Sequence, residues 1–236
     1  MNPTLVFHTV LQRAFSPPRV LLVFAVAAFP VLVLSFMPLI GLQILQSGPI
    51  LGMILGAGLI GQDVSSGVLQ LLFSRPVTRA EYVMSRWFAA GVCAAGLVVL
   101  EVALGAGVMA LRGQPAPIGS VAIFALEQVL AAFGILSVLA LFSSALPGIG
   151  DVMALIILNV AGGMLQMAAA FMQSPWLLRA SSEWSDFLNP ALHFQEAVGG
   201  GVVSWFHLIS YFSTVTLCLA LAIVTLNRRE FSYATD

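Results

Sequence analysis

The sequence predicts an all-α polytopic membrane protein. It should have six transmembrane helices, an N-terminal interfacial helix, a short helix between the second and third spans, and short outer helices between the fifth and sixth. Three observations carry this expectation. Of 236 residues, 60% are hydrophobic and 8% charged, with a mean hydropathy of +1.02, whereas soluble domains carry about 25% charged residues. Apolar runs recur six times along the chain, on the scale needed to cross a hydrocarbon core ~30 Å thick at ~1.5 Å per residue. Arginines concentrate in one set of connections, as they do on the cytoplasmic side of membranes. The chain, 1–236, reads as one transmembrane domain.

In order, residues 4–15 set Leu5, Phe7, Val10, Leu11 and Ala14 against His8, Thr9, Gln12 and Arg13, the pattern of a helix lying in the interface. Ser16-Pro17-Pro18 breaks it and favours a new first turn. The first span is expected over about 20–40, with a kink at Pro30, and should remain in the mature chain because the leader lacks a secretory pattern. A turn at 43–48 precedes a short second span, about 49–62, in which Gly52 and Gly56 are spaced for close helix contact. Spans three to six are expected over about 82–110, 118–142, 151–172 and 203–226, with turns at 112–117 and around Pro147-Gly148. The outer helical segment, about 174–201, carries Trp176 and Trp184, and with Trp205 these suggest an aromatic belt. Asn189-Pro190 reads as the cap and first turn of a helix ended by Gly199-Gly200-Gly201. With both termini inside, Arg13, Arg19, Arg75, Arg79, Arg86, Arg228 and Arg229 are cytoplasmic, against Arg112 and Arg179 outside.

Composition excludes several functions. The nine basic residues include no lysine, which removes a Walker A loop and Schiff-base chemistry. A net charge of −1 argues against a nucleic-acid partner. Cys93 and Cys218 fall in apolar runs, where a small apolar side chain explains them. His8, His193 and His207 show no metal spacing, and no nucleophile elbow or His-Glu-x-x-His helix is present, so catalytic and metal residues are expected to be absent.

The long polar, turn-rich interval is 61–86, GQDVSSGVLQLLFSRPVTRAEYVMSR. Ser65 or Ser66 can cap a short helix, about 65–73, that must stop before Pro76. Thr78 and Glu81 then have the spacing of a capping box. By itself the interval could be an amphipathic helix resting on lipid. Asp63, then Gly67-Val68-Leu69-Gln70, Leu71-Leu72 and Ser74-Arg75-Pro76-Val77-Thr78-Arg79, resembles the membrane subunits of type-2 ABC exporters. Val68 and Gln70 stand where that family usually has Thr and an acid. The resemblance implies that 65–73 is a cytoplasmic coupling helix docking in a groove of a separate ATPase, with Asp63, Gly67, Leu69, Leu71, Leu72, Phe73, Arg75, Pro76 and Arg79 as coupling residues. It further implies a permease subunit in a bacterial-type cytoplasmic membrane, two ATPase copies, a second permease copy (identical or homologous), short re-entrant helices before the last span, and ATP with Mg bound by the partner only. A scaffold or assembly factor that transports nothing is the alternative for the same helices.

Within the spans, Glu101 and Glu127 flank the 112–117 turn at similar distances, so an antiparallel pair of helices sets them at similar depth. They suit either a polar lining or proton-linked pair, or carboxyls that fix helix packing. Asn159, Gln166 and Gln173 recur every seven residues on one face of the fifth span, which should meet another helix or a water-filled path.

Overall fold

The computed structural model describes residues 4, 8, 12, 16–66, 78–192, 194 and 205–228. Their regular secondary structure is all helix, without strands among the described residues, and six stretches are long and apolar enough to cross a membrane. The chain is a multi-pass membrane protein. Most of the expected interfacial helix 4–15, the segment 67–77 and the stretch 195–204 lie outside the described residues.

Helix α1 (Pro17–Phe36) begins with its proline pair in the first turn, where the missing N–H costs nothing, and contains Pro30. It ends four residues short of the expected boundary, because Pro38 starts a separate 3-10 segment, Pro38–Leu45, that turns at left-handed Gly41. The second span is not one helix. Helix α2 (Gly48–Gly56) stops at a corner, Ala57–Ile60, with Gly58 at φ 65°, and α3 (Gly61–Ser65) restarts beyond it. The glycine-rich run supplies both the close contact expected of Gly52 and Gly56 and a break that periodicity did not signal: a Cβ on Gly52 would meet Ala132 and Ile135, and one on Gly56 would meet Leu136 and Leu139.

Helix α4 (Arg79–Leu111) starts on the capping box, in which the Thr78 hydroxyl accepts from the Glu81 N–H and the Glu81 carboxylate accepts from the Thr78 N–H. Helix α5 (Ile118–Ala145) extends three residues past its expected end and is the central element, packing against α2, α4, α6 and the last helix. Helix α6 (Gly150–Met172) is closed by Gln173 in the left-handed conformation. Helix α7 (Pro175–Leu188) then folds back along α6, and α8 (Trp205–Arg228) completes the bundle.

The core forms three apolar clusters, centred on Leu136 with Tyr82 and Tyr211, on Leu34 with Val102 and Phe124, and on Leu139 with Leu155 and Cys218. Helices α1 and α6 lie at the periphery, with Phe24 73% exposed and Phe171 95% exposed. In a membrane protein such faces meet lipid or another helix.

Helix α7 differs from expectation in an informative way. The Trp184 indole N–H donates to the Leu158 carbonyl at 3.1 Å, and the Asn189 amide donates to Asn159 Oδ1 at 2.7 Å. Asn159 lies thirteen residues inside the Met172 end of α6, about 20 Å along the helix axis. Thus α7 runs back along α6 to about its middle. Asn189 is the C-cap of α7, and Asn189–Leu192 are not helical, so Asn-Pro ends one helix here where the sequence pattern predicts the start of another. The non-helical backbone is buried: Gly134 of α5 leaves room for Pro190, and Leu192 is 3% exposed. Irregular backbone at this depth is tolerated only when surrounded by protein.

Candidate functional site

The richest polar arrangement lies at the arginine end of the bundle, around the corner that breaks the second span. A helix break leaves backbone groups without intrahelical partners, and buried ones must find others. Here, side chains from three elements supply them. Ser143 of α5, fully buried, accepts from the N–H groups of Ile60 and Gly61 at 2.9 and 2.8 Å. Asp151 of α6, also fully buried, accepts from the Gly58 N–H at 2.8 Å and from its own neighbour, Val152. Arg19 of α1 donates to the Ala57 carbonyl at 2.8 Å and to Gln62 Oε1 at 3.3 Å. The Gly148 N–H closes the set on the Gly61 carbonyl at 2.9 Å.

Beyond the corner stands Asp63. Its carboxylate forms an ion pair with Arg86 of α4 and accepts from the Tyr82 hydroxyl, while the Arg86 guanidinium lies 5.5 Å from the centre of the Tyr82 ring. The Ser65 and Ser66 hydroxyls donate back to the Gln62 and Asp63 carbonyls. On the far side of the undescribed 67–77 segment, Arg79 donates to the last carbonyls of α8, Leu226 and Asn227, at 2.6 and 2.8 Å. That segment is therefore bordered by two anchored ends. Of the coupling residues named from the sequence, Asp63 and Arg79 are those the structure places. Gly67, Leu69, Leu71, Leu72, Phe73, Arg75 and Pro76 lie outside the described residues. Sequence reasoning missed Ser143, Asp151 and Arg19 as partners of the corner. Their signal was faint: Asp151 opens an apolar run, where an acidic first-turn residue is ordinary.

A second polar layer crosses the interior. Glu101 of α4 is 1% exposed and pairs through Oε2 with Ser47, the residue that precedes α2. Gln128 of α5 accepts from the Gly48 N–H at 3.3 Å, and its neighbour Glu127 is buried too. Glu101 lies ten residues from Leu111 and Glu127 nine from Ile118, each about 14–15 Å from its helix end. The shared depth read from the sequence is present, with the start of α2 set against both helices. Gly48 is required at this contact, because a Cβ there would overlap the Gln128 backbone.

The third group does not hold together as one face. Asn159 is engaged by Asn189 and by the Leu155 carbonyl, whereas Gln166 and Gln173 are exposed on the single chain. Among the described residues, no cluster of three or more His, Cys, Asp or Glu side chains is placed to hold a metal. Comparison of the chain with protein-family models and with characterised proteins finds no match.

Proposed function

We propose that the chain is the permease subunit of an ATP-driven ABC transporter of the exporter type, with ATP hydrolysed by a separate subunit that docks on the coupling segment, about 65–73. The observation that carries this reading is the anchoring of both borders of that segment. Asp63 ties its N-terminal border to α4 through Arg86 and Tyr82, and Arg79 ties its C-terminal border to α8. The corner just before it is bonded to α1, α5 and α6. A force applied to the segment between Asp63 and Arg79 would therefore reach every helix that spans the bundle, as a docking element requires. The resemblance of the stretch from Asp63 to Arg79 to type-2 exporter subunits supports the same reading, and so does α7, a short helix that folds back along α6 before the last span. The arginine end is then cytoplasmic, and the exposed faces of α1 and α6 suit a second permease copy.

The test is ATPase retention. An acid at Leu71 or Leu72 leaves an unpaired charge in an apolar docking contact, while the protein still inserts, because the segment lies outside the spans. Leu71→Glu and Leu72→Glu should lose the co-purifying ATPase and transport, whereas a control change at Gln70 keeps both. Equal retention in all three variants overturns the docking assignment. Failure to capture any ATPase with the wild-type chain favours a scaffold.

A further inference from the structure

We propose that Glu101 is a proton-binding site at the junction of α2, α4 and α5, and that the bound proton latches the start of α2 to α4 through Ser47. The geometry is that of a site with one occupant to be supplied. Glu101 is 1% exposed, its Oε2 meets Ser47, and its Oε1 has no partner. Among the described residues, no basic group on the neighbouring elements stands near enough to neutralise a carboxylate there. The 3-10 segment and α2 carry no charged residue, α1 carries only Arg19 at the opposite end of the bundle, and α5 contributes another acid, Glu127. Along α4 the neighbouring arginines are Arg86 and Arg112, fifteen and eleven residues away, about 22 and 16 Å. The other titratable groups on packed elements are Arg79, Glu81, Tyr82 and Cys93 on α4 and, on α8, His207, which is exposed, Tyr211, whose hydroxyl donates to the Leu130 carbonyl, Cys218 and Arg228.

An uncompensated carboxylate at mid-membrane depth is costly, and the charge must be met by a cation from outside the chain. The site is closed and holds few donors, which suits a proton better than a hydrated metal ion. With the proton on Oε2, Glu101 donates to Ser47 Oγ, and Oε1 becomes a neutral carbonyl oxygen, for which a missing partner is a much smaller penalty than for an anion. Loss of the proton turns that bond around and leaves an anion that draws in water. The Ser47–Gly48 wedge, held on its other side by Gln128, is what would move. This site stands whether or not the chain docks an ATPase.

Infrared difference spectroscopy on the full chain in phosphatidylcholine vesicles tests the proposal. At neutral pH, a carbonyl band of a protonated carboxyl should be present, disappear in Glu101→Gln and persist in Glu127→Gln. Ser47→Ala, which leaves Glu101 itself intact, should shift the band to higher frequency as the hydrogen bond is lost. The band should move in deuterated water and fade reversibly as the pH is raised, with circular dichroism unchanged. A carboxylate signal at neutral pH that responds to sodium but not to choline would replace the proton with a metal cation and overturn the proposal. A band that neither exchanges with deuterium nor titrates would make Glu101 a packing group only, and would overturn it equally.

Discussion

Asn189 donates its side-chain amide to Asn159 across thirty residues of sequence, at 2.7 Å, and this bond holds the deep end of α7 against α6. Both amides keep a second engagement, Asn159 with the Leu155 carbonyl and Asn189 with the Ser185 carbonyl. Interhelical bonds of this kind contribute about 0.6 kcal/mol on average and up to ~1.7 kcal/mol. A double-mutant cycle of Asn159→Ala and Asn189→Ala, read by unfolding in mixed micelles, should give a coupling in that range. Strict additivity would show that the pair adds nothing to holding α7 in the bundle.

Asp63 and Arg86 offer a larger effect. Their side chains are 18% and 9% exposed, so Asp63→Asn should cost about 2 kcal/mol, less than the ~3–5 kcal/mol typical of a fully buried pair broken on one side. The double variant Asp63→Asn with Arg86→Gln should regain much of that loss, since no charge is then stranded. Thermal midpoints of the three proteins decide the matter. A double variant as unstable as the sum of the singles would mean that the pair is not coupled.

Glycine substitutions should separate sharply by position. An alanine Cβ at Gly61 would stand 2.7 Å from the carbonyl oxygens of both Gly148 and Leu146, so Gly61→Ala should open the corner and lower the yield of folded protein. Gly96 and Gly107 sit in α4 with nothing within 4 Å of an added Cβ. Alanine there should be neutral or stabilising by about 0.5–1 kcal/mol, from helix propensity alone. Similar behaviour at all three positions would contradict the close approach at Gly61.

Orientation can be read by labelling. In a background with Cys93 and Cys218 replaced by alanine, a cysteine at Gln114 should react with an impermeant maleimide added to intact cells. A cysteine at Thr78 should react only after permeabilisation. The reverse pattern would put the arginine end outside and remove the docking proposal with it.

A second copy should meet the exposed side of α6. Cysteines placed at Met153, Val160, Met164 and Met167, all exposed, should cross-link between copies with a helical rhythm, strongest on one stripe. Uniform absence of cross-linking in lipid, together with a monomeric mass, would leave that side to lipid.

Much of this arrangement was legible in the chain because its physical cause is local. Thr78 and Glu81 announce a capping box within four residues, and the structure contains it. Glu101 and Glu127 fall at one depth because two antiparallel helices joined by a short turn leave little freedom. The break at Ala57–Ile60 was hidden, since Gly52, Gly56, Gly58 and Gly61 look alike in sequence although the first two serve helix contact and Gly58 takes a positive φ. Its partners Ser143 and Asp151 lie more than eighty residues away, and no local pattern predicts a bond at that separation. Asn189 misled for a related reason: Asn followed by Pro is compatible with a helix start or a helix stop, and the packing of α7 on α6 selects the stop.

Helix α2 has nine residues, about 14 Å of rise against a hydrocarbon core of ~30 Å. Its two ends depend on groups synthesised much later: Gly48 on Gln128, the corner on Ser143 and Asp151. When this part of the chain first leaves the ribosome and enters the insertion machinery, none of those partners exists. The second span must therefore wait, sheltered by the insertion machinery or provisionally hydrated, until the fourth and fifth spans arrive. Assembly at the centre of the bundle is thus expected to follow insertion of these later spans. Truncation after Leu111 should leave 41–65 reactive to water-soluble reagents, and extension through Val152 should protect it.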